Sequence, residues 1–197
     1  MTYSKFKYLI FSDLYRITGK VSVLTLFRYI FAGKAYKYIF WMRVCSCSYN
    51  NNLLRYIIFP ISRVILNHYI YKFGISISHH IKIGSGFYIG HFGGIVINPN
   101  SEIGKNCNIS QGVTIGQVNR GPNKGVPILG DNVYIGPGAK MIGKIVIGDN
   151  VAIGANCVVT KDVPDNAVVV GVPGKIISYK GSEGYINKIN YDEKIHT

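Results

Sequence analysis

The sequence predicts a mainly β protein: a left-handed parallel β-helix preceded by an α-helical region. Three observations predict it. From Ile77 to residue 164 apolar residues recur every six positions. Before that, over residues 5–72, they recur at helical spacing. Most of the 23 glycines fall after residue 73, in step with the six-residue period.

The hexads begin at Ile77, Ile83, Ile89, Ile97, Ile103, Ile109, Ile115, Leu129, Ile135, Met141, Ile147, Ile153 and Val159. This period is the mark of a β-helix whose coils each take three hexads, so thirteen hexads predict about four coils. The large aliphatic residue is expected to point inward and stack on its equivalent in the next coil. Four residues on, a small or apolar residue is expected at the corner, as at Cys107, Val113, Ala139 and Cys157. Both cysteines are therefore read as core.

The chain divides into an α-helical region over 1–74, the β-helix over 75–178 and a C-terminal tail over 179–197, read as a helix or a loose tail. Within the first, helical runs are predicted around Leu9 and Leu14, Leu24 to Ile30, Tyr36 to Val44, and Leu54 to Ile65. Thr18-Gly19, Ala32-Gly33 and the polar stretch 48–52 are the expected breaks. The aromatic and basic faces of these helices fit packing on a partner or a membrane surface. The ladder is broken twice, after Ile89 by two extra residues within 91–94, and after Ile115 by eight within 117–127. The second reads as a flexible basic loop. Insertions into a repeat are where function is placed.

The net charge is +13. Residues 1–75 hold eleven Lys or Arg and one acid, Asp13; the rest hold eleven basic residues and eight acids. Such a surface suits phosphates, anionic glycans or anionic headgroups. No nucleic-acid-binding signature accompanies it, so no nucleic-acid partner is expected. Cys45-Ser-Cys47 lacks metal or redox spacing. No apolar run approaches the ~20 residues of a membrane span, and no signal peptide is read. A reduced protein is expected, in the cytoplasm or at the inner face of the cytoplasmic membrane.

The ladder, the segment Val159-Thr160-Lys161-Asp162-Val163-Pro164 and the closing Gly171-Val172-Pro173-Gly174-Lys175 resemble the hexapeptide-repeat acyltransferases. The order of His91, repeats and ending is similar to the serine acetyltransferase branch. Within that branch, Gly90-His91-Phe92-Gly93-Gly94-Ile95-Val96-Ile97-Asn98-Pro99 looks most like the colanic-acid-type enzymes that acetylate capsular or exopolysaccharide hydroxyls.

The resemblance implies a homotrimer with active sites between neighbouring β-helices, acetyl-CoA as co-substrate and no metal. It places His91 at the general base, with no covalent acyl-enzyme. It places Gly136, Gly138, Ala139 and Ala155 along the pantetheine arm. Thr160, Lys161 and Lys175 fall near the adenosine and phosphates, and Lys140 is a weaker candidate. Acceptor-side candidates are Ser76, Asn98, Gln111, Arg120 and Lys124. The β-helical carbonic anhydrases hold zinc with three histidines, but His79, His80 and His91 lack such spacing. His79 and His80 read as surface residues of the first coil, and His68 as structural.

Two positions depart from the serine acetyltransferases. The aspartate that orients their base is Ser76 here, leaving Asn98, a backbone carbonyl or a neighbouring chain for that task. Their second histidine, which serves the amino-acid substrate, is Val126 here. The expected acceptor is therefore a hydroxyl of a capsular, exo- or O-antigen polysaccharide or its lipid-linked precursor. Serine O-acetylation is the alternative, and a non-enzymatic β-helical scaffold is a third reading.

Overall fold

The computed structural model describes residues 2–195. Four helices come first: α1 (Tyr3–Thr18), α2 (Val23–Ala32), α3 (Lys34–Tyr49) and α4 (Leu54–Phe73). Thr2 caps α1, its hydroxyl accepting from the Lys5 N–H. Gly19 and Gly74 end α1 and α4 in the left-handed conformation, which glycine adopts without strain. Pro60 lies inside α4.

The chain then winds into parallel coils. The first is β1 (Ile75–Ile77), β2 (Lys82–Ile83) and β3 (Tyr88–Ile89). The second is β4 (Ile95–Ile97), β5 (Glu102–Ile103) and β6 (Asn108–Ile109). The third is β7 (Thr114–Gly116), β8 (Ile128–Leu129) and β9 (Tyr134–Ile135); the fourth is β10 (Lys140–Ile142), β11 (Val146–Ile147) and β12 (Ala152–Ile153). The fifth is β13 (Val158–Val159), a bridge from Val163 to Ile147, and β14 (Val168–Val170). Each face of the prism is one parallel sheet, ordered β1-β4-β7-β10-β13, β2-β5-β8-β11 and β3-β6-β9-β12-β14. The last face is closed by the antiparallel β15 (Lys175–Ser178).

The inward columns match the apolar period. Ile77, Ile97, Ile115, Met141 and Val159 stack on one face, and Ile89, Ile109, Ile135, Ile153 and Val169 on another. All are nearly inaccessible, and so are Cys107 and Cys157. Burial pushes the Cys107 thiol up to about 12, as fits an unreactive core residue.

Three expectations are corrected. The coils number about five, not four, because the fifth is two residues short. Its spacing drops to four between Val159 and Val163, so the period of six breaks while the stacking continues. The tail is not loose. It runs back along one corner of the prism, where the Gly181 and Ser182 N–H groups donate to the Asn166 and Asn150 carbonyls. Tyr185 stacks on Tyr134, and Tyr191, in α5 (Tyr191–Ile195), donates to Asn106. That corner carries Asn106, Asn132, Asn150 and Asn166 at positive φ. The first three pass side-chain hydrogen bonds from coil to coil, satisfying amides that would otherwise be orphaned.

His79 is the third. It is buried, not a surface residue, because Tyr49 and Phe59 from the helical region cover it. Neither ring nitrogen has a hydrogen-bond partner among the described residues. Burial, then His80 and Arg63, lower its pKa from 6.5 to about 4. Between these values the folded chain binds fewer protons than the unfolded one. His79 therefore favours folding fully above pH 6.5 and costs stability as pH falls from there toward 4. His79→Phe is expected to flatten that fall, seen as a smaller drop in Tm between pH 7 and 4.5.

The helices are held to the first coil by a buried ionic clamp. Arg43 Nε donates to Asp13 at 2.9 Å, and its Nη1 and Nη2 donate to the Ile83 and Gly84 carbonyls at 2.8 and 2.6 Å. Asp13 also accepts the Phe87 N–H at 2.7 Å, and Ser12 accepts that of Gly86. Arg16 donates to the Gly86 carbonyl and to Asn108.

Candidate functional site

His91 lies where the first coil turns from β3 to β4. The two extra residues of that turn are accommodated by Gly93 and Gly94, both at positive φ. The Gly93 carbonyl accepts the Gly112 N–H from the coil beneath, which fixes the protruding turn. His91 is exposed. It borders a cavity of about 350 Å³ between the first coil and the helices, lined also by Tyr29, Lys34, Tyr36, Tyr88 and Phe92. Phe92 packs on Phe73, and the Lys34 ammonium lies 6.0 Å above the Phe92 ring.

No hydrogen bond from the described residues fixes the His91 imidazole. Asn98, one of the groups considered for that task, is committed elsewhere: its amide donates to Gln117 at 3.2 Å and its carbonyl oxygen accepts the Asn100 N–H. Ser76 points outward from β1, beside Val96.

Other candidates line up below His91 on the same corner. Gln111 takes that place in the second coil, Gly136 and Gly138 in the third, and Ala155 in the fourth. The Gln111 carbonyl accepts the Gly138 N–H, and the Pro137 carbonyl accepts that of Asn156. With ~4.8 Å between paired strands, four steps from the first coil to the fifth cover roughly 19 Å, the scale of an extended pantetheine arm. A Cβ on Gly136 would come within 2.8 Å of the Ala155 nitrogen, so close coil stacking by itself requires glycine there.

At the far end Thr160, Lys161 and Lys175 share a cavity of about 450 Å³ with Asp162, Pro173 and Gly174. Ala139 does not belong to this surface. It is fully buried, its methyl fills the corner of the prism, and its carbonyl is taken by Thr114. Lys140 is also engaged, donating to the Gly112 carbonyl and to the Thr114 hydroxyl.

Arg120 and Lys124 are not brought to His91 within one chain. They sit on the extruded segment, on the other side of the face formed by β1, β4, β7, β10 and β13. That segment is not the flexible loop expected. Val118 and Gly125 exchange two backbone hydrogen bonds of 3.0 Å, and Asn123 accepts the Lys144 N–H, making it a pinned hairpin. Among the described residues no group of three or more His, Cys, Asp or Glu could hold a metal ion.

The family model described as bacterial transferase hexapeptide (six repeats) matches residues 127–161. Over that stretch the chain resembles the hexapeptide-repeat transferases. Its relatives include serine acetyltransferases of Bacillus pumilus, 41% identical over 119 residues, and Mycobacterium tuberculosis, 46% identical over 104 residues. These alignments cover 60% and 53% of this chain but 52% and 45% of the relatives; the chain spans about half the length of the curated relatives it matches. The serine acetyltransferase of Neisseria gonorrhoeae, solved in complex with serine, superimposes with a TM-score of 0.72 at 28% identity. That match covers 89% of this chain and 70% of the other.

These relatives overturn the expectation of a polysaccharide acceptor and give no support to a place in the colanic-acid-type branch. That expectation rested partly on the basic N-terminal region, and charge of that kind does not specify an acceptor. Two of its cations, Arg16 and Arg43, are buried and spent on holding the helices to the coil.

Proposed function

We propose that this chain is an acetyl-CoA-dependent O-acetyltransferase of the serine acetyltransferase type, acting on the hydroxyl of serine. The observation that carries the reading is the set of relatives bearing that name, 41% and 46% identical over 119 and 104 residues. In the proposed reaction one nitrogen of neutral His91 takes the proton of the acceptor hydroxyl as its oxygen attacks the thioester carbonyl. The carbon–sulfur bond breaks, and the imidazolium returns the proton to the departing thiolate. Backbone N–H groups of the glycine-rich corner stabilise the oxyanion. The donor lies along the corner from Gln111 to Ala155, with its phosphates near Lys161 and Lys175.

The active site is completed in a homotrimer, where a neighbouring β-helix brings its own hairpin, with Arg120 and Lys124, toward His91. This assembly also supplies what orients the imidazole in place of the missing aspartate.

Mass spectrometry of L-serine incubated with acetyl-CoA and the protein tests the reading. An acetyl group is expected on serine; unmodified serine beside intact acetyl-CoA would overturn it. At the donor end, Lys161→Ala and Lys175→Ala are each expected to weaken acetyl-CoA binding roughly three- to tenfold and leave kcat within about twofold. Titration calorimetry and steady-state kinetics check this split.

A further inference from the structure

The helical unit carries a surface that acetyl transfer does not use. On α4 the buried side chains are Ser62, Leu66 and Phe73. On the opposite side Tyr56, Ile57, Ile61, Val64 and Tyr71 follow one another at steps that keep one face of a helix. Each of them is 59–81% exposed. An apolar stripe left bare on a helix marks an interaction surface. α2 repeats the pattern with Leu24, Phe27 and Phe31 exposed and no residue buried.

Charge selects the partner. Arg63 and Lys72 flank the α4 stripe, and both are exposed. Of the eleven Lys and Arg in residues 1–75, eight are exposed, Arg28 and Arg55 among them. The unit's one acid, Asp13, is buried against Arg43. Helices α1 to α4 therefore present cations with no surface carboxylate of their own; the exposed acids Asp192 and Glu193 lie on α5, which packs on α1 rather than on α4. A second copy docked through α4 would set cations against cations. A soluble phosphate would leave the apolar stripe uncovered. A bilayer surface containing anionic lipid satisfies both features, since apolar side chains enter the headgroup boundary while lysines and arginines meet the phosphates.

We propose that α4 docks this protein, in the plane of the interface, onto an anionic lipid surface. No helix among the described residues is long and apolar enough to cross a membrane, so the contact is peripheral. The proposal is independent of the acceptor that His91 serves.

Flotation of the full-length protein with vesicles tests it, comparing phosphatidylcholine alone with mixtures containing about one-third phosphatidylglycerol. Binding to the anionic vesicles is expected to be at least ~10-fold stronger and to weaken as salt screens the surface. Two multiple variants, Ile57→Ser with Ile61→Ser and Val64→Ser, and Arg63→Glu with Lys72→Glu, are each expected to reduce it by roughly tenfold. All five positions are solvent-exposed, so unchanged circular dichroism and Tm are expected. Equal partition onto both vesicle types, or no flotation at all, would overturn the proposal. So would a concentration-dependent assembly in sedimentation that the apolar variant abolishes while vesicle binding is absent, which would assign the stripe to a second copy.

Discussion

Replacing His91 with alanine is expected to lower kcat by ~10²–10⁴-fold, the range for removing a positioned general base. Acetyl-CoA binding is expected to change by less than about twofold, because the proposed donor track runs along the corner beneath His91. The side chain is exposed, on a turn shaped by Gly93 and Gly94. The variant is therefore expected to keep its assembly and its Tm. A rate that falls with kcat but spares donor binding assigns His91 to the chemical step. A rate unchanged within about threefold would remove it from that role.

Breaking the clamp that joins the helices to the first coil is expected to have the largest effect on stability. Asp13→Ala leaves Arg43 buried and without its carboxylate, and frees the Phe87 N–H that Asp13 accepts. Removing one partner of a buried pair typically costs about 3–5 kcal/mol. For a chain of this size that corresponds to a fall in Tm of roughly 10 °C. Removing both charges with apolar groups of similar volume, Asp13→Leu with Arg43→Met, is expected to cost less than the single Asp13→Ala change, because no unpaired charge remains. Thermal melts at fixed protein concentration check both. A loss below ~1 kcal/mol for Asp13→Ala would show that the coil corner holds the helices without this pair.

The repeat was legible because each buried aliphatic residue recurs at the period of the prism, and a period needs no knowledge of partners. The miscount of coils has a local cause. Two residues are missing between Val159 and Val163, so the count of six fails although Val163 still pairs with Ile147. The tail gave no periodic signal because it forms no regular element over most of its length. It is held by individual hydrogen bonds, such as those of Ser182 and Tyr191. The clamp was equally hidden, since Asp13, Arg16 and Arg43 lie far in sequence from the coil they grip. One signal was present: Asp13 is the lone acid among eleven cations. A solitary carboxylate in such a segment has a structural task more readily than a solvated one.

The site was legible in part. His91 and the residues beneath it share a corner because they share a phase of the repeat, which the sequence carries. Ala139 shares the repeat but not the phase; it falls on an inward corner and is buried. Arg120 and Lys124 were placed with the acceptor because an insertion marks function, yet the phase of the insertion sets them across one face from His91. The acceptor was not legible. The resemblance alone set Ser76 and Val126 against an aspartate and a histidine of the serine acetyltransferases, and two such differences do not name a new substrate.

The most direct test of the account is the steady-state release of coenzyme A from acetyl-CoA, titrated with L-serine, for the parent protein and for His91→Ala side by side. Release is expected to saturate with L-serine in the parent and to fall by ~10²–10⁴-fold in the variant. Release that does not respond to L-serine, or that the two proteins share equally, would contradict it.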